Sequence, residues 1–172
     1  MDSVLKSLDQ NLYKDEKECI IFLTTNLRPI CNPDDFYQTL SHEDVLDTLS
    51  LPLLTEATYA IKRFDLLQKI SSFSKIESKG LTMVPHLSLI PAWKLSVYML
   101  YENLSDFEVR AMYFVNEDIV GKAPDHPNFL DLIYTLQTKY AFSVMATRFL
   151  LTRMLSLLGR KDLEKTLTKT WP

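Results

Sequence analysis

A chain of 172 residues has room for one ordinary domain or two small ones. Its 19 basic and 22 acidic side chains give a formal charge of −3, without the basic excess of a nucleic-acid binder. It has three glycines, Gly80, Gly121 and Gly159, where average usage of about 7% predicts roughly twelve; that argues against hairpin-rich all-β folds and phosphate-cradling loops, and for helices.

Taken in chain order, the first apolar pattern is Leu5, Leu8 and Leu12, at helical spacing. The Met-Asp-Ser start lacks the basic and apolar regions of a secretory signal. A second helix follows. With Glu16 as the reference and about 100° per residue, Cys19, Ile20, Leu23 and Leu27 form a core stripe, and Ile21 and Phe22 fall off it. Prolines interrupt 29–33, and the helical pattern is irregular over 38–47. A longer stripe comprises Leu53, Ala57, Ala60, Ile61 and Phe64. The serine- and proline-bearing stretch 71–91 is the best domain boundary.

The second half repeats this order. Ala111, Met112, Val115 and Ile119 make a stripe, with Tyr113 and Phe114 off it. After 121–127, Leu151, Met154, Leu155 and Leu158 make the next. The richest apolar run, 142–158, is broken by Arg148 and Arg153, and no run reaches the ~20 residues of a membrane span. Lys165, Lys169 and Trp171 read as a frayed tail.

Two cysteines, Cys19 and Cys31, match no zinc spacing and suit a reducing compartment, most simply the cytosol. His42, His86 and His126 lie in no catalytic or metal-binding motif. Asp34-Asp35 and Glu43-Asp44 lack the glycine and spacing of a calcium loop. These patterns point to a non-enzyme with no cofactor and no metal. Charge is uneven: residues 1–56 carry eleven acidic and four basic side chains, and residues 148–172 carry two acidic and six basic. Two solvated faces or two complementary ends both fit this.

At an offset of 92, Leu8 matches Leu100, Asn11 matches Asn103, Leu12 matches Leu104, Glu16 matches Glu108 and Phe22 matches Phe114. Arg63-Phe64-Asp65-Leu66 recurs as Arg160-Lys161-Asp162-Leu163. A whole-domain duplication explains this order better than a solenoid, whose repeats are shorter. An off-stripe aromatic at matching positions marks either a contact face or packing inside a thicker core.

Two helical units, each with Glu before a Phe-bearing helix and each closing on Arg-x-Asp-Leu, resemble tandem death effector domains. With no room for a caspase-like region after Leu163, the chain is similar to the viral FLICE-inhibitory proteins of gammaherpesviruses and poxviruses. The resemblance implies an all-α fold of two tandem six-helix antiparallel bundles: 1–74, a linker 75–91, and 92–168. It implies the charge triads Glu16–Arg63–Asp65 and Glu108–Arg160–Asp162, with Leu66 and Leu163 as core anchors. It assigns Phe22, with Ile21, to an interdomain contact, and Phe114, with Tyr113 and Glu117, to partner binding. The implied partners are FADD and procaspase-8, or other death effector domain proteins, in the host-cell cytoplasm, with caspase activation and apoptosis blocked. The alternative partner is the regulatory subunit of the IκB kinase complex, with NF-κB activated. Neither nucleic acid nor membrane is implied.

Overall fold

The structure, a computed structural model, describes residues 1–26, 35–74, 89–139 and 143–171. Among these residues there are twelve α-helices and no strand. The fold is all-α. The chain divides into two compact units, Met1–Pro91 and Ala92–Pro172.

The first unit contains α1 (Asp2–Asn11), α2 (Lys14–Thr24), α3 (Phe36–Ser41), α4 (Glu43–Leu46), α5 (Leu51–Ala60) and α6 (Phe64–Ser74). Helix α1 packs on α3 and α6, α2 on α3 and α5, and α5 on α6. Leu5 and Leu8 of α1, with Phe36, Leu40, Leu54 and Leu66, are fully buried at the centre. The irregular 38–47 pattern resolves into two short helices. His42, with φ −61° and ψ 138°, is extended and interrupts them. Leu27 and Cys31, and the proline-broken 29–33, lie outside the described residues, as does most of the stretch read as a linker.

The second unit contains α7 (Ala92–Tyr101), α8 (Asp106–Val115), α9 (Glu117–Val120), α10 (Phe129–Lys139), α11 (Val144–Leu157) and α12 (Lys161–Thr170). Helix α7 packs on α10 and α12, and α11 on the same two helices. The core stripe of α10 is Phe129, Leu130, Leu132, Ile133 and Leu136. Its start is set by Asn128, whose Oδ1 accepts from the Leu130 and Asp131 N–H groups at 2.8 and 3.3 Å. Helix α9 stops at Gly121, whose φ of +85° only glycine adopts without strain.

Three expectations are corrected here. Phe64 does not continue the α5 stripe. The chain turns at Lys62, so Phe64 opens α6 and is exposed. Trp171 is not part of a frayed tail: it is buried, its ring 6.2 Å from that of Trp93, and α12 stays helical through Thr170. Of the expected α8 stripe Ala111, Met112, Val115 and Ile119, only Met112 is fully buried. Val109, Tyr113 and Asn116 join it on the buried face, while Val115 is exposed. That face is centred about 90° around the axis from Glu108. Glu108 sits at the edge of the buried side, where it meets the start of α12, so a wheel centred on it points the wrong way.

Candidate functional site

Each Arg-x-Asp-Leu arginine is delivered by the same backbone device. Helix α5 ends with Lys62 in the left-handed region, φ +62°, and α11 ends with Gly159 at +72°. The Lys62 N–H donates to the Tyr59 carbonyl at 2.9 Å and the Arg63 N–H to the Thr58 carbonyl at 3.2 Å. In the second unit Gly159 donates to Ser156 at 3.1 Å and Arg160 to Leu155 at 2.9 Å. Both are Schellman closures, which absorb the last helical carbonyls and turn the chain sharply.

The guanidinium then makes a fixed set of bonds. Arg63 donates from Nη1 to Glu16 Oε2 at 2.6 Å and to the Asn11 carbonyl at 3.0 Å. Its Nε and Nη2 grip both oxygens of Asp65 at 2.9 and 2.8 Å. Arg160 repeats this with Glu108 Oε1 at 2.6 Å, the Asn103 carbonyl at 3.2 Å and Asp162 at 3.0 and 2.9 Å. A planar fork suits this bidentate grip, which a lysine cannot reproduce. The arginine thereby joins the end of the first helix, the start of the second and the start of the sixth. Leu66 and Leu163, the last residue of each motif, are buried.

The glutamates do a second task. Glu16 Oε2 accepts from the Tyr13 N–H at 2.8 Å. Glu108 Oε2 accepts from the Ser105 N–H at 2.8 Å, while Ser105 Oγ accepts from the Glu108 N–H at 3.3 Å. The latter is a full capping box. Burial acts to raise the Glu108 pKa, but bonds from Ser105 and Arg160 outweigh it and leave the pKa below its ordinary value. The arginine hydrogen bonds hold Asp65 and Asp162 down at about 2. The aspartates reciprocally push both guanidinium pKa values further up.

Asn11 and Asn103 complete the assembly. Their roles went unassigned in the sequence, although both stood in the repeat. Each side chain bonds back to its own helix, Asn11 to the Ser7 carbonyl and Asn103 to the Met99 carbonyl, both at 2.7 Å. Each backbone carbonyl lies at or just past the C-terminal end of its helix, where carbonyls lack an intrahelical donor, and it accepts from the arginine.

The same latch carries two different helices. In α2 every residue from Glu18 to Thr24 is buried, with Ile21 2% and Phe22 5% exposed. In α8 Phe114 is 76% exposed. Phe107, one α-helical double turn earlier on the same face, is 78% exposed. It has no counterpart in the repeat, since the matching position is Asp15, and so escaped the self-comparison. Tyr113 is buried at 4%, and its hydroxyl donates to the Asn128 carbonyl at 3.2 Å. It therefore holds α8 against the start of α10 and does not share the outer face with Phe114. Glu117 is half-buried at the start of α9.

His42 and His126 are exposed, and His86 is outside the described residues. Among the described residues no group of His, Cys, Asp and Glu side chains could hold a metal ion. None of the described helices is long and apolar enough to cross a membrane.

No family model matches the chain. A curated relative does. The chain is similar to the CASP8 and FADD-like apoptosis regulator of Mus musculus. The two are 30% identical over 141 residues, which cover 78% of this chain and 28% of the relative. This chain thus spans under a third of that protein's length. The likeness supports the family resemblance read from the duplicated Glu, Phe and Arg-x-Asp-Leu.

Proposed function

We propose that the chain is a non-enzymatic inhibitor of death-receptor-induced apoptosis. It binds FADD, procaspase-8 or both through helical death effector domain surfaces and blocks caspase activation by occupying them, in the cytoplasm. The observation that carries this reading is Phe114. It is a large apolar ring held in water on a helix that the capping box and the Arg160 latch make rigid. With Phe107 on the same face of α8 and Val115 beside it, the ring belongs to an exposed apolar patch, the kind of surface that marks a partner contact where a lone exposed ring would not. The likeness to an apoptosis regulator supports the choice of pathway.

In this mechanism Phe114 enters a pocket of the partner, and Glu117 lies at the polar rim. Tyr113, being buried, sets the helix in place from behind. Ile21 and Phe22, also buried, are withdrawn from partner capture. The arginine latches orient the helices and take part in no bond chemistry. Inhibition is competition for a surface.

The test is a pull-down of FADD and procaspase-8 from cell lysate with wild type and Phe114→Asp, with circular dichroism confirming equal folding. Capture by wild type and loss in the variant is the expected result. Equal capture by both would remove Phe114 from the mechanism. Capture of neither protein by wild type would overturn the apoptosis reading, and the regulatory subunit of the IκB kinase complex is then the next bait.

A further inference from the structure

Helix α5 carries one charged side chain, Glu56, and it is buried, 6% exposed, beside the fully buried Leu54 and Ala57. A carboxylate in such a place is costly unless hydrogen bonds replace its lost water. They come from far along the chain. Glu56 Oε2 accepts from the Leu89 N–H at 2.9 Å and from the Ile90 N–H at 3.3 Å. The Ile90 side chain is itself buried, 2% exposed, while Leu89 points outward at 50%.

We propose that Glu56 is a carboxylate clasp that pins residues 89–90 to the first unit and holds them there against local opening. Two N–H groups on one oxygen, with an apolar anchor on the second of the two residues, fix both the position and the direction of the segment. Hydrogen bonds to an ionised acceptor are stronger than neutral ones, which suits a carboxylate better than an amide here. The clasp is not part of the duplication. The residue 97 positions on, in α11, is Arg153, which is exposed. The repeat thus preserved the arginine latch in both units, while Glu56 serves the segment that joins them. The stretch 75–91, read from sequence as linker, is on this account held at its far end.

Amide hydrogen exchange on the full-length chain tests this. In wild type the Leu89 and Ile90 amides are protected. Glu56→Ala accelerates both by about tenfold or more, with the α2 and α8 amides unchanged. Glu56→Gln, which retains one carbonyl oxygen, accelerates them less. Unprotected Leu89 and Ile90 amides in wild type, or full protection in a folded Glu56→Ala, would overturn the clasp. If Glu56→Ala does not fold, Glu56→Gln decides: acceleration confined to these two amides supports the clasp, and unchanged exchange contradicts it.

Discussion

Helices α2 and α8 begin alike and end differently. The third residue of each is a glutamate that caps its N-terminus and grips the arginine opposite, through bonds that match to within a few tenths of an ångström. As its ninth residue, each carries a phenylalanine from the same repeat position. In α2 that ring is 5% exposed, and in α8 it is 76% exposed. The duplication preserved the frame of the helix and let its surface diverge. A shared motif therefore locates a helix, and only the structure tells which copy is available to a partner.

The largest expected effect separates the two rings. Phe22→Ala removes a buried ring and lowers unfolding free energy by about 3–5 kcal/mol, while Phe114→Ala changes it by no more than about 0.5 kcal/mol. Urea denaturation of both variants checks this, and similar losses would erase the distinction. Next come the latches. Arg63→Ala and Arg160→Ala each cost about 1–2 kcal/mol, after discounting for their partial exposure, and nearly equally because the bonds correspond. Lysine at either site recovers little, since it lacks the fork. Unequal losses in denaturant titrations would show that the two latches differ in a way their geometry does not.

A smaller effect has opposite signs in the two units. Lys62→Gly relieves a left-handed side-chain residue and stabilises by about 0.5–1 kcal/mol, whereas Gly159→Ala introduces one and destabilises by about 1 kcal/mol. A Cβ at Gly159 meets nothing within 4 Å, so the change reports backbone strain alone. Thermal unfolding of the pair reads both signs. The smallest effect is acid-linked. Asp65 and Asp162 have folded pKa values of about 2, below the ordinary 3.8. A depressed carboxylate stabilises the fold above its unfolded pKa, and that contribution is lost as pH falls through the folded value. Stability therefore declines between about pH 4 and pH 2. The decline shallows in Asp65→Asn and Asp162→Asn, and in high salt, because both groups are exposed to screening.

The frame of each unit was legible because it rests on residues that recur: the Glu and Arg-x-Asp-Leu positions needed only the offset of the repeat. What surrounds them was less so. The wheel of α8 failed because the glutamate used as its origin sits at the edge of the buried face, so Val115 was placed inward and Tyr113 outward. Phe107 was invisible to self-comparison because the first unit has Asp15 there. Phe64 was assigned to the wrong helix because a left-handed lysine, Lys62, gives no signal of the kind Gly159 does. Trp171 looked terminal by position, yet its ring has Trp93 to pack on. The two asparagines were seen as matches, but a backbone carbonyl accepting from an arginine leaves no trace in side-chain identity.

The account rests most directly on Phe114 being a working surface and not a structural element. Calorimetric titration of the purified full chain with FADD and with procaspase-8, wild type beside Phe114→Ala, measures this in one comparison. The predicted result is binding by wild type that weakens about thirtyfold or more in the variant, the ~2 kcal/mol of a buried aromatic anchor, with an unchanged unfolding midpoint. Equal affinities, or no binding of either protein by wild type, would contradict it.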